Sequence, residues 1–193
     1  PLKASAPKSG PVPLLHKLHR TTLLRHPKLR VLALGDSHMR VFEHWYFALV
    51  MPRTRFDVVY IPGATASGIR NARSTTQAGR RFQEALAASD ADVVLVHLGE
   101  VDTAYTLWRR AERLGRKPRN LLRDTLDRYW EFLQEVAASH RLVVTGACLP
   151  TLANQAEPGD EVATTRSAVT ASQHEPTALT RLFNAPLRRR CVP

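Results

Sequence analysis

Apolar and polar residues alternate in blocks along this chain, and the period within each block changes from one to the next. Val31-Leu32-Ala33-Leu34 is a short continuous apolar run, followed by Gly35 and then by residues 39–50, where apolar positions recur at helical spacing. On such a helix Val41, Phe42, Trp45, Tyr46 and Leu49 share one face, which predicts a buried stripe. Phe56-Asp57-Val58-Val59-Tyr60-Ile61 reads as a second strand and leads into a loop of small residues, 62–68. A helical pattern covers residues 77–88. The run at 92–98 is so nearly apolar that a strand buried on both faces is expected. Two further helices are predicted over 104–114 and 119–139. Pro118 opens the second, and Leu122, Leu126, Tyr129, Leu133 and Val136 lie on one of its stripes. Leu142-Val143-Val144-Thr145-Gly146 gives a fourth strand, and 161–187 is expected to hold a helix behind a long loop.

Strands that alternate with helices, each connection long enough for a crossover, predict a parallel sheet in a three-layer α/β/α sandwich. Ligands of such sheets bind outside the carboxyl ends of the strands. The end of the first strand therefore matters, because Gly35-Asp36-Ser37-His38 places a hydroxyl where a strand turns into a helix whose first N–H groups can steady an anion. A purely structural explanation stands beside this one, since Asp and Ser after a strand also make an N-cap pair.

Charge and cysteine content narrow the picture. The net charge of +11 suggests an acidic partner until it is divided along the chain. Residues 1–30 hold seven of the 28 Lys and Arg and no acid, so the remainder carries 21 bases against 17 acids. The excess belongs mainly to a proline-containing basic arm, residues 1–29, and the α/β domain of 30–193 is only mildly basic. The arm is a candidate contact for an acidic partner through charge that salt would screen. It lacks the fold and the interleaved aromatics of a nucleic-acid binder. Cys148 and Cys191 are too few and too far apart for a disulfide framework or a metal-ligand pattern. No apolar stretch approaches a membrane span and no signal segment opens the chain, so a cytoplasmic location is the default expectation.

Three strand ends carry unusual residues: Gly35-Asp36-Ser37-His38, then Gly63 and Gly68, then Gly99-Glu100-Val101-Asp102. In order, spacing and placement, over roughly residues 30–148, they resemble the blocks of the SGNH (GDSL-like) hydrolases. The first block of that family is Gly-Asp-Ser, the second a glycine loop, and the third Gly-x-Asn-Asp. The pairing of Gly-Asp-Ser-His with Gly-Glu-x-Asp is similar to a divergent bacterial subset. The resemblance implies an SGNH, flavodoxin-like fold and a serine ester hydrolase or acyltransferase acting on an acylated carbohydrate or another small ester. It implies Ser37 as nucleophile, the Ser37 and Gly63 N–H groups as oxyanion donors, and Asp102 within the catalytic set. Preorganised donors of this kind are worth roughly 3–4 kcal/mol of barrier each. Asp36, His38, Gly68 and Glu100 are then expected on the substrate side. Glu100 and Asp102 are open to orienting His38, binding a sugar hydroxyl or contacting a cation, and Asp102 equally to capping the next helix. No resident metal ion or cofactor is expected.

Two departures qualify the resemblance. Val101 stands where the family has the asparagine donor, and no Asp-x-x-His block, the family's source of a general base, occurs anywhere in the chain. His140 falls at a helix end, His174 in a polar segment and His97 inside a strand, where the expectation is a satisfied core residue. His38 follows Ser37 directly and on a helix start points about 100° away from it, so it reads as a substrate contact before a base. Residues 181–187 look like the helix that precedes a final strand, and that strand is expected to be missing. A non-catalytic module with the same cleft, binding a glycan or a protein, is the competing expectation.

Overall fold

The computed structural model describes residues 27–150 and 174–191. Apart from its last three residues, the basic arm lies outside them. Four strands form one parallel sheet among the described residues: β1 (Leu29–Gly35), β2 (Thr54–Tyr60), β3 (Val93–His97) and β4 (Leu142–Val144), in the order β2-β1-β3-β4. The helices are α1 (Trp45–Val50), α2 (Ala78–Ala87), α3 (Leu107–Arg113), α4 (Pro118–Ala137) and α5 (His174–Cys191), and a 3-10 helix, Ser37–Glu43, precedes α1. The expected three-layer parallel α/β architecture is therefore the one observed. No helix among the described residues is long and apolar enough to cross a membrane.

Alternation along the central strands divides the core. Leu32, Leu34, Val94 and Val96 face a large cluster that includes Phe82 of α2, Leu107 of α3, Leu121, Tyr129, Phe132 and Leu133 of α4, and Leu179, Phe183 and Leu187 of α5. The predicted stripe of α4 is buried as expected. Val31, Ala33 and Leu95 face the other way, onto Met39.

The segment 39–50 departs from expectation. Of the predicted stripe, Val41, Trp45, Tyr46 and Leu49 are exposed. His44, at φ −70 and ψ 137, breaks the segment into two short pieces. The first is a 3-10 helix with about three residues per turn, so Met39 and Phe42 eclipse and turn inward together. After the break Phe47 takes the inward position, with its ring centroid 4.8 Å from that of Phe42. A face drawn at a period of 3.6 does not survive the change of helix type.

Helix α5 fixes the end of the sheet. The Phe183 ring stacks on Tyr129 at 6.0 Å between centroids. Asn184 brackets the chain after β4, accepting from Ala147 N–H at 2.8 Å and donating to Ala147 O at 2.9 Å. Gly99, at φ +118, leaves room for the Phe183 ring, which a Cβ there would meet at 2.3 Å.

Candidate active site

The strand order reverses direction between β1 and β3, and open α/β sheets bind ligands outside such a switch point. Gly35, the last residue of β1, lies between its register partners Tyr60 and His97. A Cβ on Gly35 would come within 2.3 Å of the His97 carbonyl oxygen, so the close approach of β1 and β3 depends on a residue without a side chain. The three loops with the unusual residues thus leave one rim at one level.

Asp36 follows at full burial, and its Oδ1 accepts from the His38 backbone N–H at 2.9 Å and lies 2.8 Å from His38 Nδ1. The capping explanation for Asp36 is correct, and the same carboxylate also seats an imidazole. Its second oxygen, Oδ2, is buried and has no hydrogen-bond partner among the described residues. Ser37 is the first residue of the 3-10 helix and is exposed, as is His38.

On the β2 side, Ile61 N–H donates to Gly35 O at 2.9 Å, and Ala64 N–H closes a turn onto Ile61 O at 3.0 Å. Pro62 and Gly63, at φ +73, are the central residues of that turn, and Gly63 is exposed. Gly68 N–H is used inside the loop, donating to Thr65 Oγ1 at 3.0 Å.

Asp102 is fully buried and does not cap a helix. The chain is already helical from Glu100, and Asp102 opens a π-turn, Asp102–Thr106, inside that helix. Its carboxylate reaches across to the glycine loop instead, accepting from Ala66 N–H at 2.6 Å and Ser67 N–H at 3.0 Å. Burial pushes its pKa up from 3.8 to about 6, against the pull of those hydrogen bonds. The geometry gives Asp102 the work of holding the loop behind the rim. Glu100 is buried beside it in sequence.

His97 is the residue that sequence reasoning passed over. It is buried, as a core residue would be, but at the last position of β3 its ring reaches the rim. Nδ1 lies 2.8 Å from Thr145 Oγ1, and Nε2 lies 4.0 Å from Asp36 Oδ1 and 3.9 Å from Cys148 Sγ. Its ring centroid is 5.5 Å from that of His38. The signal available in the sequence was a glycine, Gly35, at the end of the neighbouring strand, although the register that pairs the two residues is long-range. Burial holds the His97 pKa below its usual value, with Asp36 opposing the shift and His38 adding to it. Burial, with Asp36 and Glu100 nearby, raises the pKa of Cys148, which leaves it a thiol and a poor nucleophile at neutral pH. The ligand atoms of Asp36, His38 and His97 all lie within 4.8 Å of one another. A concavity of about 710 Å³ between β4 and α5, lined in part by Val144, Gly146, Arg181 and Asn184, holds none of these groups.

No protein-family profile matches the sequence, and no curated protein matches it. Solved structures do match. One is "a putative SGNH hydrolase from Slackia heliotrinireducens", 19% identical, with a TM-score of 0.52 over 84% of this chain and 74% of that one. Another is an acetylxylan esterase from Geobacillus stearothermophilus, 14% identical, with a TM-score of 0.44 over 82% of this chain and 74% of that one.

Proposed function

We propose that this chain, whose fold is SGNH-hydrolase-like, is a serine ester hydrolase or acyltransferase for an acylated carbohydrate or another small ester, with Ser37 as nucleophile. The observation that carries this reading is the exposed Ser37 at the carboxyl end of β1, one residue beyond a buried carboxylate and level with the Gly63 turn. In this reading Ser37 Oγ bonds to the acyl carbon as its proton passes to solvent water, which returns one to the leaving alcohol; the carbonyl π electrons move to the carbonyl oxygen, and the Ser37 and Gly63 N–H groups receive the charge. Collapse of that intermediate expels the alcohol as it takes up a proton. Water, or a second alcohol, then releases the acyl group from Ser37. Asp102 acts as a positioning residue by tying Ala66 and Ser67 in place. Asp36 orients His38, and His38, Gly68 and Glu100 serve the substrate side. The chain contains no Asp-x-x-His block and has Val101 in the asparagine position, so turnover is expected to be slow.

Those same two departures favour a second reading, a non-catalytic module that binds a glycan or a protein in this cleft. Initial rates of p-nitrophenyl acetate hydrolysis by the full chain separate the two. The esterase reading predicts a measurable rate that Ser37→Ala reduces to the buffer background. A parent rate equal to that of Ser37→Ala, with glycan-array binding retained in both, selects the module.

A further inference from the structure

An imidazole nitrogen and a carboxylate oxygen face each other at the switch point, His97 Nε2 and Asp36 Oδ1 lying 4.0 Å apart. The other ring nitrogen, His97 Nδ1, is held by Thr145 Oγ1 at 2.8 Å. The other Asp36 oxygen is enclosed and has no partner among the described residues, although a buried carboxylate ordinarily has donors at both oxygens. A carboxylate with an unpartnered oxygen, set beside two imidazoles, is a place where a cation would satisfy the group.

The dimensions suit a metal ion. Ligands about 2.0–2.2 Å from a shared ion lie roughly 3–4 Å apart. Asp36 Oδ1 is 2.8 Å from His38 Nδ1 and 4.0 Å from His97 Nε2, and the three ligand atoms lie within 4.8 Å of one another, so a small closure of the exposed His38 side chain brings them onto one ion. The contact between His97 Nδ1 and Thr145 Oγ1 is the kind of outer hydrogen bond that orients a ligating imidazole. His38 stands at the surface, with 41% of its side chain exposed, so the cluster is open to solvent on the side where Ser37 lies.

We propose that Asp36, His38 and His97 form a three-ligand site for a divalent transition-metal ion. Two imidazoles and one carboxylate favour Zn²⁺, Co²⁺ or Ni²⁺ over Mg²⁺ or Ca²⁺, which prefer oxygen ligands throughout. Three protein ligands with open positions is the arrangement that leaves room for water or a substrate oxygen on the ion. On binding, His38 Nδ1 exchanges its proton for the ion, and the neutral ring carries its hydrogen on Nε2. The site does not depend on Ser37 being a nucleophile.

The test uses the full chain, stripped with a chelator and titrated with Zn²⁺ against a chromophoric competitor, then with Co²⁺ by visible absorption. The expected result is one saturable Zn²⁺ site per chain and a Co²⁺ d–d spectrum. His38→Ala should weaken binding by about tenfold or more, and Asp36→Asn and His97→Gln by about 100-fold. Ser37→Ala and Cys148→Ser should bind as the parent does, which separates this result from the fate of the esterase reading. His38 is exposed, so His38→Ala decides the matter even if the buried variants fail to fold, with circular dichroism of the stripped protein as the control. Absence of a saturable site, or Zn²⁺ binding undiminished in His38→Ala, overturns the proposal; the latter assigns the binding to other histidines.

Discussion

Among the described residues, the two faces of the sheet are built to different depths. On one, four helices close over Leu32, Leu34, Val94 and Val96, and Phe82, Tyr129, Phe132 and Phe183 are sealed within. On the other, Val31, Ala33 and Leu95 meet Met39, with Phe42, Phe56 and Tyr60 only partly buried around them. Val41, Trp45, Tyr46, Leu49 and Val50 there remain between 40% and 53% exposed. Burial is the main favourable term in folding, so the deep face sets the stability of the domain. The shallow face carries the Asp36-Ser37-His38 segment. The candidate nucleophile therefore rides on the layer with the least holding it down, where local opening is expected first.

The comparison breaks most visibly at Phe183. Its ring is fully enclosed, stacked on Tyr129 and set against Gly99, so Phe183→Ala should cost about 3–5 kcal/mol in urea unfolding. A loss below about 1 kcal/mol would mean that the deep face is not where stability resides.

A second, smaller effect tests the tie between the β2 loop and the helix after β3. The Asp102 carboxyl is held near 6 in the folded protein and returns to about 3.8 in the unfolded chain. Between those values the folded state binds more protons, so this group makes stability fall as pH rises from about 4 to 6, by on the order of 2–3 kcal/mol. Asp102→Asn removes the titration and should flatten the profile over that window relative to the parent. Parallel profiles would show that Asp102 ionises as it does in water.

The smallest effect belongs to the shallow face. Phe42 packs on Phe47 and Phe56, with centroids at 4.8 and 4.9 Å, but is only partly buried. Phe42→Ala should cost about 1–2 kcal/mol, well under the deep-face value. Equal losses at Phe42 and Phe183 would erase the distinction between the faces.

Much of this layout is legible in the sequence, and the failures have local causes. The four strands announce themselves as apolar runs between glycines and turns, and the α4 stripe keeps its period over the whole helix because nothing interrupts it. The 39–50 segment misleads because periodicity reports which residues share a face only while one helix type persists, and His44 ends it. His97 is hidden because a histidine inside an apolar run looks the same whether its ring meets the core or the rim; only the pairing of Gly35 with His97 distinguishes them. Asp102 reads as a cap from its neighbours in sequence, while its partners, Ala66 and Ser67, lie in a loop that local pattern does not connect to it. Ser37, Gly63 and Asp36, fixed by strand ends, are placed at one rim as their positions in the sequence suggest.

Reaction of the full chain with a fluorophosphonate probe, followed by intact mass and peptide mapping, addresses the nucleophile itself. A single adduct per chain on the peptide that contains Ser37, lost in Ser37→Ala, is the predicted result. An unmodified protein after prolonged exposure, or an adduct that persists in Ser37→Ala, would contradict it.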